Sequence, residues 1–227
     1  MIYENEEAVG RAIRDSGVPR EEIFLTTKLW NDDIRKNNVE GAFESSLQRL
    51  GTEYVDLYLV HWPVKGKYVA VWKEMEKIYA GGKARAIGVS NYLEHHLEEL
   101  LETASVVPAV DQIELHPYLN QEKLVNYLRK KNIVPEAWSP FCAKKNNLLE
   151  EPILKKIAEK YGKTPAQVVL RWDIQRGIVV IPKSSNLLRQ KENLDIFDFE
   201  LSEEDMKRIN SLNKDQRVGS HPDEITF

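Results

Sequence analysis

An α/β protein built on a parallel sheet is predicted by three observations. Apolar, strand-like runs alternate with amphipathic helical stretches along the whole chain. The connections between successive runs are long enough to be crossover helices, which parallel pairing requires. The run Val55-Asp56-Leu57-Tyr58-Leu59-Val60 is apolar at almost every position, the pattern of a strand buried on both faces. With 227 residues, 42% hydrophobic and 30% charged, the chain can bury a sizeable core as a single domain, residues 1–227.

In chain order, residues 4–16 read as a helix with Ala8, Val9, Ala12 and Ile13 as its apolar stripe and Gly17 as its cap. Residues 23–30 read as the first strand. A helix over 39–50 follows, closed by Gly51, and then the strand 55–62. The next pairs are helix 69–79 with strand 84–89, helix 93–101 with strand 109–115, and helix 123–130 with strand 133–139, the last interrupted by Pro135. Helices are expected over about 151–160 and from Thr164, with Pro165 at the first helical position, to Gln175. Strand 178–181 is the sixth. A short helix over 187–192 and a final one opened by Ser202 complete the pattern. Lys144 and Lys145 read as a solvated loop.

The net charge of -4 offers no basic excess to recruit nucleic acid or an anionic membrane. The single cysteine, Cys142, rules out an intrachain disulfide and fits a reducing cytosol. No run reaches transmembrane length and the first residues form no signal region, so the expected location is cytoplasmic. No histidine–carboxylate spacing suggests a metal. His116 reads as structural, and His95, His96 and His221 as exposed.

Polar side chains collect at the ends of the strand-like runs, where parallel α/β proteins place their chemistry. They are Lys28, His61, Ser90-Asn91, Gln112 with Glu114, Trp138-Ser139 and Lys183-Ser184-Ser185. Lysine, histidine and amide groups suit a polarised carbonyl and a carboxamide, and a tryptophan suits a planar ring. A lysine beside hydroxyls, with Arg189 six residues on, suits a phosphate. Glu114 is either paired within the core or a support for Gln112. Alternation alone leaves a doubly wound sheet or a (β/α) barrel open; the absence of Gly-x-Gly-x-x-Gly after the first strand weighs against the dinucleotide-binding form of the first.

Six segments, in order, carry a resemblance: Tyr-Glu-Asn-Glu (3–6), Thr-Thr-Lys-Leu-Trp (26–30), Asp-Leu-Tyr-Leu-Val-His-Trp-Pro (56–63), Ile-Gly-Val-Ser-Asn (87–91), Gln-Ile-Glu-Leu-His-Pro (112–117) and Ile-Pro-Lys-Ser (181–184). Together the chain resembles the aldo-keto reductases, of the aldose reductase and 2,5-diketogluconate reductase kind. The resemblance implies a (β/α)₈ TIM-barrel fold and reversible NADPH-dependent reduction of aldehydes and ketones. It implies that Tyr3 gives a proton to the carbonyl oxygen, that Lys28 lowers the phenol pKa, and that His61 orients the carbonyl. Ser90, Asn91 and Gln112 would hold the nicotinamide carboxamide, and Trp138, followed by Ser139, would stack on its ring. Lys183, Ser184 and Arg189 would grip the 2′-phosphate, Glu192 and Asn193 would contact adenine, and Trp30 and Trp62 would line the pocket for a small carbonyl substrate.

The chain departs from the family pattern at its start. The aspartate that the motif places before the tyrosine is absent, as are the first strand, first helix and second strand. The expectation is therefore an N-terminally truncated barrel of about six parallel strands. Runs 23–30 and 178–181 become its edges, open to a homodimer partner. The alternative function is a weakly active or inactive NADP(H)-binding protein serving as a redox sensor or interaction module.

Overall fold

The structure is a computed structural model describing residues 2–144 and 146–227; Lys145 and the Lys144 side chain, the loop expected to be solvated, lie outside the described part. The chain forms two compact units, Met1–Asp111 with Pro222–Phe227, and Gln112–His221. Six strands are ordered β1-β2-β3-β4-β5-β6 among the described residues, and the unit boundary falls within β4.

The first unit begins with α1 (Glu6–Ser16), whose first turn carries Glu6 and Glu7 and whose end is closed by Gly17 at φ 69. Then come β1 (Thr26–Leu29), a short α2 (Asn31–Arg35), α3 (Val39–Leu50), β2 (Val55–Val60), α4 (Tyr68–Ala80), β3 (Ala84–Ser90), α5 (Glu94–Leu101) and β4 (Val110–Glu114). Every residue of β2 is buried, Asp56 included, in keeping with a run that is apolar at almost every position. β1 and β3 flank it in parallel, with Leu29 opposite Val60 and Val60 opposite Val89. Between β3 and β4 the backbone approach is close: a Cβ on Gly88 would stand 2.6 Å from the Val110 carbonyl oxygen and 2.7 Å from Leu59 Cδ2. Only glycine fits there.

The second unit holds α6 (Glu122–Lys130), β5 (Val134–Trp138), α7 (Pro152–Tyr161), α8 (Pro165–Gln175), β6 (Val179–Val180), α9 (Leu187–Leu194) and α10 (Glu203–Asn210). β5 and β6 pair in parallel, Glu136 opposite Val179. Thr164 caps α8 reciprocally: its hydroxyl accepts from the Gln167 N–H at 3.3 Å, and Gln167 Oε1 accepts from the Thr164 N–H at 2.9 Å. Leu128, Ile133, Ala137, Leu154, Ile157, Val168 and Trp172 make the core of this unit.

The edge expectation for runs 23–30 and 178–181 agrees with the places of β1 and β6 at the two ends of the strand order. Pro135 sits inside β5 without ending it, and α2 is a helix the periodicity did not indicate. Five residues are too few to show a 3.6-residue period.

Candidate active site

Parallel register builds the first half of the site. Because Leu29, Val60 and Val89 share one row, the residues that follow, Trp30, His61 and Ser90, leave three adjacent strands together. The His61 N–H donates to the Leu29 carbonyl at 3.1 Å, fixing the exit of β2. Asn91, at φ 65, turns its Nδ2 back to donate to the His61 carbonyl at 2.9 Å and to Ser90 Oγ at 3.1 Å. Asparagine tolerates this left-handed backbone better than most side chains.

Tyr3 joins this group. Its hydroxyl is 3.3 Å from His61 Nε2, with the rings 5.7 Å apart. Glu6, three residues on, is buried and holds the start of α1 in place: Thr27 Oγ1 donates to its Oε1 at 2.7 Å and Arg49 Nε to its Oε2 at 2.7 Å. These two bonds fix the first turn of α1, three residues from Tyr3, and only the acidic, helix-starting position of Glu6 hinted at them in the sequence.

Lys28 Nζ stands 5.4 Å from the centre of the Tyr3 ring. Tyr3 as a residue is 59% exposed, but its hydroxyl end faces buried His61, and burial of that end pushes the phenol pKa up. The His61 pKa is pushed down to about 3, first by burial and then by the Lys28 charge, so the ring is neutral at physiological pH.

Trp30 meets the His61 ring edge-on at 5.0 Å, and Trp62 is buried. A third aromatic here had no signal in the local pattern: Phe227 stacks on Trp30 at 5.9 Å and meets Trp62 edge-on at 5.6 Å. Its carbonyl accepts from Asn31 Nδ2 at 3.0 Å and Arg35 Nη2 at 2.6 Å. In the same unit His96 is buried, not exposed as expected, because its Nδ1 accepts from the Leu93 N–H at 3.1 Å at the start of α5. Asp223 Oδ1 lies 2.9 Å from His95 Nε2 and 3.1 Å from His96 Nε2, a grouping with the residue types of a metal site. With Nδ1 accepting, a neutral His96 carries its proton on Nε2 and donates it to Asp223. That nitrogen has no lone pair for an ion, the reverse of the usual arrangement in metal-binding histidines.

The second unit carries the remaining expected residues. Gln112 and Glu136 are both buried, and Gln112 Nε2 donates to Glu136 Oε1 at 2.5 Å. Trp138 ends β5 half-buried, and Ser139 follows at φ 52. Lys183 is exposed after β6, and Ser184 Oγ accepts from the Asn186 N–H at 3.1 Å. Asn186 Oδ1 then caps α9 by accepting from the Arg189 N–H at 3.1 Å, so Arg189 lies in the first turn with its side chain exposed. Two cations at a helix start suit an anion. Glu192 Oε1 accepts from Thr164 Oγ1 at 2.6 Å, and Asn193 beside it is half-buried.

Glu114 is paired within the core, one of the two roles left open for it. Val218 N–H donates to its Oε1 at 2.5 Å, Gly219 N–H to its Oε2 at 3.1 Å, and His116 Nε2 lies 3.1 Å from Oε1. His116, fully buried, is structural as expected.

The sequence profile of the aldo/keto reductase family matches residues 1–214. The chain belongs to this family. It is 54% identical over 226 residues to the glyoxal reductase of Bacillus subtilis (strain 168), covering 100% of this chain and 81% of that protein. Among solved structures, MGS-M4, an aldo-keto reductase enzyme from a Medee basin deep-sea metagenome library, is 46% identical with a TM-score of 0.97, over 100% of this chain and 84% of its own. A variant of Gox0644 in complex with NADPH is 44% identical with a TM-score of 0.93, over 100% of this chain and 82% of its own.

Proposed function

We propose that this chain is an NADPH-dependent oxidoreductase that reduces small aldehydes and ketones to alcohols. The observation that carries the reading is the Tyr3 hydroxyl 3.3 Å from a neutral His61, whose ring meets Trp30 edge-on at 5.0 Å. The similarity to a glyoxal reductase and to an NADPH-bound structure supports it.

The residues fit such a cofactor. The half-buried indole of Trp138 offers a surface to a nicotinamide, and the exposed Lys183 and Arg189 offer charge to a 2′-phosphate beside Ser184. The resemblance adds Ser90, Asn91, Gln112, Ser139, Glu192 and Asn193 to the residues proposed to contact the cofactor. Bound NADPH would supply the hydride that goes to the carbonyl carbon. The chain's own work is at the oxygen. Tyr3, protonated at neutral pH, donates its proton there, and the neutral His61 orients the carbonyl by hydrogen bonding. The phenolate left behind forms beside the positive charge of Lys28 and regains its proton from water.

The matched span crosses the unit boundary, which supports reading 1–227 as one domain. Action in the cytoplasm is part of the same proposal, supported by a single cysteine, Cys142, that is free and buried; no helix among the described residues is long and apolar enough to cross a membrane. Homodimerisation at the β1 and β6 ends of the strand order is part of the same proposal; a single monomeric mass by light scattering would overturn it.

A second reading, an NADP(H)-binding protein with little turnover that serves as a redox sensor or interaction module, draws on the raised Tyr3 pKa. NADPH oxidation with glyoxal, methylglyoxal and aromatic aldehydes decides between them. Turnover that Tyr3→Phe abolishes establishes the reductase. Binding of NADPH without turnover in either protein establishes the second reading.

A further inference from the structure

We propose that Glu114 and Gly219 are positioning residues that seat the indole of Trp138, and so set how tightly the nicotinamide half of the cofactor is held. The inference rests on the reading of Trp138 as the stacking aromatic and deepens it.

The geometry is local to the second unit. Gly219 is exposed and its backbone is not left-handed, so no conformational demand explains a glycine there. Space does. A Cβ at that position would stand 2.5 Å from Trp138 Cη2, 3.4 Å from Cζ2 and 3.1 Å from Glu114 Oε2. The six-membered edge of the indole therefore rests against the Gly219 backbone, and a single methyl group would drive it away. A tryptophan ring is rigid and yields only by rotating as a whole.

The backbone beneath the ring is itself pinned. Both oxygens of Glu114 are used: Oε1 by the Val218 N–H at 2.5 Å and Oε2 by the Gly219 N–H at 3.1 Å, with Arg217 Nη1 3.9 Å from Oε2. His116 steadies the carboxylate from the other side at 3.1 Å. Burial alone would raise the Glu114 pKa, but the bonds from His116, Val218 and Gly219 prevail and hold it below the ordinary range. The carboxylate thus stays ionised and keeps both N–H donors. A chain of contacts runs from strand β4 through Glu114 to the 218–219 backbone, and from there to the Trp138 ring. A stacking platform whose tilt is fixed in advance loses less entropy on binding.

The test is a binding cycle with Gly219→Ala in two backgrounds, wild type and Trp138→Tyr. Tyrosine lacks the six-membered ring edge that the new methyl would strike. NADPH and 2′,5′-ADP, which has no nicotinamide, are titrated into each by calorimetry, and near-UV circular dichroism records the ring environment without any ligand. In the Trp138 background Gly219→Ala should weaken NADPH by roughly tenfold, about the worth of one good aromatic contact, leave 2′,5′-ADP within twofold, and change the near-UV signal. In the Trp138→Tyr background it should change none of these. Glu114→Gln, which turns an amide N–H toward a backbone donor, should weaken NADPH in the same selective way.

Equal weakening of both ligands, or the same loss in both backgrounds, would overturn the proposal in favour of a plain folding role. Unchanged NADPH affinity and near-UV signal in Gly219→Ala would overturn it outright. Failure of the unaltered protein to bind NADPH at all would instead sink the cofactor reading on which the proposal stands.

Discussion

The Tyr3 hydroxyl lies 3.3 Å from Nε2 of His61, the residue that follows β2, a strand buried at every position. A hydroxyl and a neutral imidazole at that separation can both address one carbonyl oxygen. Of the two the phenol is the better acid, because a neutral imidazole can give up a proton only by becoming an imidazolate. Tyr3→Phe should therefore lower kcat for aldehyde reduction by at least about 100-fold, within the usual range for a general acid, while NADPH binding stays unchanged. Steady-state kinetics with a cofactor titration check it. Loss of NADPH affinity in step with kcat would mean that Tyr3 holds the cofactor.

His61 also ties stability to pH. Its folded pKa is about 3, against 6.5 for an ordinary histidine. Between those values the unfolded chain binds a proton that the folded chain refuses, so stability falls as the pH is lowered through that window. The slope is roughly 1.4 kcal/mol per pH unit where the difference is complete. Denaturant unfolding from pH 6 to pH 4 should show a steeper loss for the unaltered protein than for His61→Gln. Parallel slopes would show that His61 titrates normally.

Glu6 reaches the site through packing. Removing its carboxylate strands the Thr27 hydroxyl and the Arg49 guanidinium that it now accepts from. Glu6→Ala should cost about 1–3 kcal/mol of unfolding free energy, as expected for a buried hydroxyl and a half-buried guanidinium left without their acceptor. It should also lower kcat more than it raises the KM for NADPH, because Tyr3 sits three residues away. Denaturation and kinetics on one preparation separate the effects, and a kcat equal to that of the unaltered protein would show that Tyr3 is placed by something else.

Much of this was legible before any coordinates. The run 55–60 announced a doubly buried strand, Gly17 and Gly51 announced helix ends that the αL backbone bears out, and Thr164-Pro165 announced a capped start. These signals are local, each set by the chemistry of a few neighbouring residues. What stayed hidden was non-local. Phe227 meets Trp30 across almost the whole chain length, Glu6 finds Arg49 and Thr27 by folding, and His96 is buried by a bond its own helix start supplies.

The choice of cofactor tests the second unit. Lys183 is exposed between β6 and α9 and Arg189 in the first turn of α9, and among the described residues no ion pair is seen for either. Lys183→Ala and Arg189→Ala should each raise the KM for NADPH by roughly tenfold, the worth of a charge-assisted bond to phosphate. The KM for NADH, which lacks the 2′-phosphate, should stay as it is. The penalty should shrink as salt is added, since exposed charges are screened within about 8 Å at physiological ionic strength. Kinetics with both cofactors at two salt concentrations read this directly. Equal losses for NADPH and NADH would mean that these cations serve the shared pyrophosphate, and the preference for the phosphorylated form would have to arise from other residues.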